Sequence, residues 1–353
     1  MTAEPILDTV TAAHLTEVLR QAGALRAGAV RAVSVERARP TLVSEVAQLR
    51  IEYDAEDAGP ASVFFKRPLP DGPAGSGEAA QREMAFYAGV GAATPRGLLP
   101  RCFEAAPGTG GRSPYLLLED LTDSHAVVGE WPLPPPVATC EAIVDTVARF
   151  HAFWWNHPSL GTPVAPYRDA VDLDRFRADL ARRVASFVEH LGDRLSPDRR
   201  LIYERFVRSL PRLLERYRSR RHLTIVHGDA HVWNLLVPRD RALRDIRLID
   251  WEGWHPNVAT NDLAYMMALH WYPERRRLLE QPLLRRYHDG IVAAGVTGYG
   301  FDALWEDYRL SALRCLTRPV WQQSLGFGAW IWWSHLERGM LAVDDLGCRD
   351  LLD

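Results

Sequence analysis

The stretch that most restricts this chain is IVHGDAHVWNLLV, residues 225–237, with IRLIDWEGW, residues 246–254, close behind it. Each contains an apolar, β-favouring run next to groups that cannot be buried alone. Asp229 is followed after four residues by Asn234, and Asp250 comes sixteen residues later at the end of its own apolar run. Side-chain oxygens of this kind are hard ligands and suit Mg²⁺.

A second constraint is VFFKRP, residues 63–68, which holds the only lysine among 42 lysine and arginine residues. In an arginine-rich chain, codon drift explains a stray lysine. Physical chemistry offers another reason: lysine is a compact point charge on a flexible stem, whereas arginine is a wide planar fork. Lys66 closes the run Ser62-Val63-Phe64-Phe65, which reads as a buried strand, so its charge needs a partner. A helix fits residues 78–90, EAAQREMAFYAGV, and carries Glu83. The chain order is then Lys, Glu, Asp-x4-Asn, Asp, the order in which kinase-like folds supply the parts of phosphoryl transfer.

The 353 residues leave room for two lobes with a large core. A formal charge of −3 provides no global polycation for nucleic acid. The basic runs at 216–221 and 275–277 lie beside helical patterns and read as solvated helix faces. Cysteines 102, 140, 315 and 348 are scattered, with neither zinc-site spacing nor a disulfide framework. No stretch is apolar enough to span a bilayer and the first residues lack a signal-peptide pattern, so the expectation is a cytoplasmic protein with no membrane partner. The first third reads as mixed. It has helical periodicity over 5–22 with Thr11 as cap, β-like runs at 29–37, 42–53, 61–66, 100–105 and 114–119, and a loop at 67–77. The proline-rich WPLPPP, 131–136, marks a boundary, and long helical patterns follow at 137–157, 171–190 and 197–217 and from 260 onward.

HGDAHVWN resembles the His-Gly-Asp-x-His-x-x-Asn motif of the aminoglycoside phosphotransferase and choline kinase-like branch of the protein-kinase-like superfamily, and looks nearest to its ecdysteroid-kinase-like group. IDWE stands where protein kinases have Asp-Phe-Gly, and REMAFYAGV resembles the Glu-bearing helix. The resemblance implies an α+β, two-lobed protein-kinase-like fold. A small mainly-β N-terminal lobe would cover residues 1–123, and a larger mainly-α C-terminal lobe, 124–353, would hold the catalytic loop 227–234, Asp250 and the acceptor pocket. It implies ATP and Mg²⁺ as cofactors. Asp229 would be the catalytic base or orienter of the acceptor hydroxyl, and Asn234 and Asp250 would bind the metal. Lys66 would contact the α and β phosphates and be held by Glu83. LLLEDL, 116–121, would be the hinge, where backbone groups from Glu119 to Leu121 pair with adenine. His227 and His231 would brace the loop, and Asp262 would accept amide bonds from it or simply favour a helix N-terminus. Glu252 would reach a second metal or remain a surface carboxylate.

Two departures bear on function. The loop ERARPTLVS, 36–44, stands where kinases have a glycine-rich phosphate clamp, yet it has no glycine. This keeps open a catalytically degenerate, nucleotide-binding scaffold. Only about ten residues separate Asp250 from the next helix, too few for the peptide platform of a protein kinase, so the partner implied is a small-molecule hydroxyl acceptor. A polycationic aminoglycoside would want convergent carboxylates, and Asp169, Asp172 and Asp174 alternate with Arg168, Arg175 and Arg177. A weakly charged hydroxylated metabolite or antibiotic is therefore favoured, with a choline-like cation in an aromatic cage as the alternative. Tryptophans crowd the last third, and Trp251, Trp254, Trp321 and Trp330 either wall that pocket or pack the core.

Overall fold

The alternating runs of the first third become an antiparallel sheet, and the 3.6-period runs become helices. A computed structural model describes residues 6–41, 43–56, 58–69, 75–108, 113–129, 133–240 and 242–353. Parts of the expected loop 67–77 and of WPLPPP lie outside the described residues. In chain order the elements are α1 (Ile6–Thr9), α2 (Ala12–Gln21), β1 (Val30–Pro40), β2 (Ser44–Tyr53), β3 (Ser62–Pro68), α3 (Ser76–Phe86), β4 (Cys102–Ala106), β5 (Tyr115–Glu119) and β6 (His125–Val127). Then come α4 (Val137–Phe153), α5 (Ala170–Leu191), α6 (Pro197–Arg218), β7 (Thr224–Val226), β8 (Leu235–Pro238), β9 (Arg247–Leu248) and β10 (His255–Asn257). The chain closes with α7 (Thr260–Ala264), α8 (Pro273–Ala293), α9 (Phe301–Arg314), α10 (Thr317–Ser324) and α11 (Ala329–Asp345). This is the small-sheet, large-helical organisation of the protein-kinase-like fold.

The chain divides into two compact units. One runs to Val128 and takes in Asn234–Trp254; the other comprises Gly129–Trp233 and His255–Asp353. The sequence reading assigned residues 234–254, and with them Asn234 and Asp250, to the helical lobe. The structure packs them with the sheet, because β8 pairs with both β6 and β9 and the Trp251 ring stacks on Phe86 of α3 with centroids 4.0 Å apart.

In the first unit the strand order is β1-β2-β3-β5-β4. Successive side chains of a strand point to opposite faces. Val63, Phe65 and Arg67 of β3 are buried on one face, where the two apolar residues join Leu15 and Leu19 of α2 in a core cluster; Lys66 takes the opposite face. Thr11 caps α2, its hydroxyl accepting the His14 N–H at 3.2 Å. At the glycine-free hairpin between β1 and β2, Thr41 Oγ1 accepts the Ser44 N–H at 3.0 Å, and the Thr41 N–H donates to the Ser44 carbonyl at 2.7 Å. Backbone groups at this turn are tied to Thr41.

In the helical unit Asp169 and Ser196 cap the long helices α5 and α6, and Phe150, Trp154, Phe187, Tyr203 and Phe206 are fully buried. The four cysteines are free. Among the described residues, no helix is long and apolar enough to cross a membrane.

Candidate active site

In the sheet unit, β3 delivers the ammonium of Lys66 to a cluster of carboxylates. Its Nζ lies 2.6 Å from Glu83 on α3, 2.5 Å from Asp250 and 3.5 Å from Glu252. Burial works against the lysine's charge, but Glu83, Asp250 and Glu252 outweigh it and hold the ammonium well above its usual range. Three carboxylates thus face one ammonium, and burial raises the Glu83 carboxyl. Burial, reinforced by Asp250, pushes the Glu252 carboxyl up to about 7. Glu83, Asp250 and Glu252 present oxygens within 4.8 Å of one another, a donor set that fits a hard divalent cation. Glu83 is already committed to Lys66 and accepts the Trp251 N–H at 3.3 Å, so Asp250 and Glu252 are the carboxylates better placed to take a cation.

Asp250 owes its place to an unusual backbone. Its φ of 69° lies in the left-handed region, rare for a residue with a side chain. The turn after it is held down by aromatic packing and hydrogen bonds. Trp251 is fully buried against Phe86, and Trp254 donates from its indole to the Arg82 carbonyl at 2.9 Å while Arg82 Nη2 donates back to the Trp254 carbonyl at 3.0 Å. Trp251 and Trp254 therefore fasten the turn to α3. Asn234 is buried, and its carbonyl accepts the Ile249 N–H at 3.0 Å, which ties the two sequence motifs together.

At the expected hinge the Glu119 N–H donates to the Arg101 carbonyl at 2.7 Å, and the Leu121 carbonyl accepts the His125 N–H at 2.8 Å. The residue between them went unnoticed in the sequence. Asp120 accepts from Gln48 of β2 at 2.7 Å, from Ser62 of β3 at 2.5 Å and from the Thr122 N–H at 2.9 Å. Burial would raise its carboxyl, but these donors hold it below the usual range.

In the helical unit the loop after β7 is pinned from beneath. Asp262 accepts the N–H of His227 at 2.7 Å and of Gly228 at 3.0 Å, and its Oδ2 lies 3.2 Å from His151 Nε2. Burial would raise the Asp262 carboxyl, yet His151 and His227 keep it low, so the clamp stays ionised. Gly228 has φ 78°, a conformation that glycine adopts without strain, and this sharp turn sets up Asp229. His227 Nδ1 accepts the Asp229 N–H at 3.3 Å.

The Asp229 carboxylate is part-exposed. One oxygen accepts a hydrogen bond from the Tyr265 hydroxyl and the other lies 3.5 Å from His231 Nε2. Arg318 at the start of α10 donates to the Gly228 carbonyl and stands 4.5 Å from the Tyr265 ring centroid. Burial opposes the charge of Asp229, but His231, Arg318 and Tyr265 hold its carboxyl far below the usual range. Tyr265 and Arg318 are functional candidates that motif spacing did not reveal. Tyr265 opens a π-helical turn, Tyr265–Leu269, an irregularity common at functional sites but without a signature in the sequence.

The remaining candidates are dispersed. Trp321 lies under the Arg183 guanidinium at 4.1 Å, and Trp330 is exposed at the start of α11. Asp169 is spent as a helix cap, while Asp172 and Asp174 lie 3.5 Å from Arg175 and Arg177. These three carboxylates do not converge.

Residues 46–304 match the profile of the phosphotransferase enzyme family, and the chain belongs to that family. It is a small-molecule kinase. Solved structures share the fold at low identity. A Ralstonia eutropha JMP134 protein, assigned by name only to the aminoglycoside phosphotransferases, is 14% identical over 95% of this chain and 97% of its own, with a TM-score of 0.59. The gentamicin complex of APH(2″)-IIa is 11% identical over 97% and 96%, with a TM-score of 0.51. The amicoumacin kinase hAmiN, solved with AMP-PNP, Ca²⁺ and Ami, is 12% identical over 93% of both chains, with a TM-score of 0.51. No curated protein matches the chain.

Proposed function

We propose that the enzyme transfers the γ-phosphate of ATP to a hydroxyl of a small acceptor that is not strongly cationic. The observation that carries this reading is the position of Lys66 Nζ, 2.6 Å from Glu83 and 2.5 Å from Asp250, in a chain of the phosphotransferase family. In this reading Lys66 receives the α and β phosphates, and Glu83 keeps its ammonium in place. Asp250 and Asn234, with Glu252 beside them, would hold Mg²⁺, which supplies charge neutralisation at the phosphates when bound. The adenine would lie along the Glu119–Leu121 backbone.

Asp229 would orient the acceptor hydroxyl and take its proton as the phosphoryl group transfers. His231, Arg318 and Tyr265 around it keep it ionised and ready to accept a hydrogen bond. Tyr265 already donates to it, so the acceptor hydroxyl would share or replace that bond. The absence of converging carboxylates at Asp169, Asp172 and Asp174 argues against a polycationic aminoglycoside. Nucleotide turnover against a panel of hydroxylated compounds tests the proposal. Acceptor-dependent ADP release that is lost in Asp229→Ala supports it, and nucleotide binding without turnover of any acceptor would favour the scaffold reading.

A further inference from the structure

Among the described residues the two buried arginines are matched by carboxylates: Arg276, 1% exposed, lies 2.8 Å from Glu280 and also meets Asp345, and Arg67 is 2.6 Å from Glu45. Half-buried Arg216 likewise grips Asp307 through two bonds of 2.7 Å. Arg314, the last residue of α9, is half-buried and lacks such a match. Among the described residues no carboxylate lies within 4.0 Å of it, and its hydrogen bond goes to a neutral amide, Asn257 Oδ1, at 3.3 Å. Burial, and then the nearby Arg168, pull its guanidinium down to about 10. A cation held in this way is costly unless a negative charge joins it.

Arg314 belongs to a small open cleft within the helical unit. Arg168, Tyr217, His255 and Asn257 supply its other polar groups, and Leu173, Phe176 and Leu214 wall it. Arg168 stands over the Phe176 ring and also has no carboxylate within 4.0 Å among the described residues. The Tyr217 hydroxyl accepts the Arg168 N–H at 3.4 Å. Two guanidiniums and a phenol around one opening supply donors of the kind that suit a planar or tetrahedral oxyanion. The cleft adjoins the loop that carries Asp229. His255 pairs with Val226, the residue before that loop, and Arg318, four residues after Arg314, holds the Gly228 carbonyl.

We propose that the cleft of Arg168, Tyr217, His255, Asn257 and Arg314 binds a carboxylate or phosphate group carried by the acceptor, so that the preferred substrate is an anionic hydroxylated small molecule. The inference rests on the kinase reading above and names its substrate class.

Two experiments on the full chain test it. The first measures sulfate binding by equilibrium dialysis for the wild type, Arg168→Gln, Arg314→Gln and Arg175→Gln, an exposed arginine of α5. Saturable binding should weaken by about tenfold or more in the first two variants, as expected when a charge-assisted bond is removed, and stay unchanged in the third. Equal binding in all four proteins, or no saturable binding in the wild type, overturns the site. Arg168 is exposed, so its variant keeps the test valid if Arg314→Gln folds poorly.

The second compares hydroxylated acceptors matched with and without a carboxylate or phosphate. Arg168→Gln should raise KM for the anionic member of each pair only, and sulfate should compete with that member in the wild type. Sulfate that binds without competing would assign the cleft to a free anion and overturn the acceptor claim. Because sulfate binding needs no turnover, the two readings fail separately: binding without turnover sinks the kinase reading, and turnover without binding sinks the anion cleft.

Discussion

Lys66 and Asp229 live in opposite electrostatic surroundings. In the sheet unit one ammonium faces Glu83, Asp250 and Glu252, so carboxylates outnumber cations there. In the helical unit one carboxylate faces His231 and Arg318, and Arg314 and Arg168 lie further along the same unit, with no carboxylate partner among the described residues. The first cluster calls for added cations, as a metal-bound nucleotide brings; the second calls for an anion or a neutral hydroxyl. On the proposed reading, substrate charge would follow the groups each cluster leaves unmatched after internal pairing, more than the residues with the best-known motifs.

The largest test falls on the helical side. Asp229→Ala should leave nucleotide binding nearly intact and slow phosphoryl transfer by ~10²-fold or more, the lower end of what a positioned acid–base group contributes. Steady-state kinetics and nucleotide titration measure both, and near wild-type turnover at saturating acceptor would remove Asp229 from the chemistry.

Lys66→Arg tests the acidic side at constant charge. The ammonium fits among three carboxylates, and the longer planar guanidinium should displace the phosphates, with a loss on the order of 10²-fold in rate. Glu83→Gln should impair the same step, and the double variant should lose less than the product of the two single losses, since contacting groups are not additive. Wild-type turnover in Lys66→Arg would leave the lone lysine to codon drift.

A smaller effect is expected from Tyr265→Phe, which removes one donor from Asp229 and keeps the ring under Arg318. The expected loss is about tenfold in kcat, the weaker end for a hydrogen bond to a charged group, with KM for nucleotide unchanged. A change confined to nucleotide KM would detach Tyr265 from Asp229.

The smallest effect concerns stability. Burial, with Arg338, Arg318 and His231 nearby, pulls the His335 imidazole down to about 4. Its folded pKa is thus depressed, so between about pH 6.5 and 4 the unfolded chain binds the extra proton and stability falls as pH falls. His335→Gln should lessen the drop in Tm between pH 7 and pH 5 by about 2–4 °C, a shift of the size one kcal/mol produces in a large domain. Parallel melting curves with an unchanged drop would contradict the buried, neutral imidazole.

The elements of the fold were legible where periodicity was long. The helices at 170–191 and 197–218 and the strands β2, β3 and β5 lie within a few residues of their expected bounds, because amphipathic spacing reports the face that meets a core. Short strands such as β6 and β9 left no such trace, since two or three residues carry no period. The meeting of Lys66, Glu83 and Asp250 was legible as a chain order. The roles of Arg318 and Tyr265 were not, because neither stands at a diagnostic spacing from Asp229.

The sequence by itself singled out the side chains proposed for the chemistry: a lone lysine after an apolar strand, a glutamate on the next helix, and Asp229, Asn234 and Asp250 on two short motifs. Local order suffices for this, because strand and turn propensities act over a few residues. Only the tertiary structure decided that Asn234–Trp254 packs with the sheet, that Trp251 and Trp254 fasten the Asp250 turn, and that Arg314 meets no carboxylate among the described residues. Burial and charge pairing join residues far apart in the chain, and a one-dimensional pattern does not record which carboxylate reaches which guanidinium.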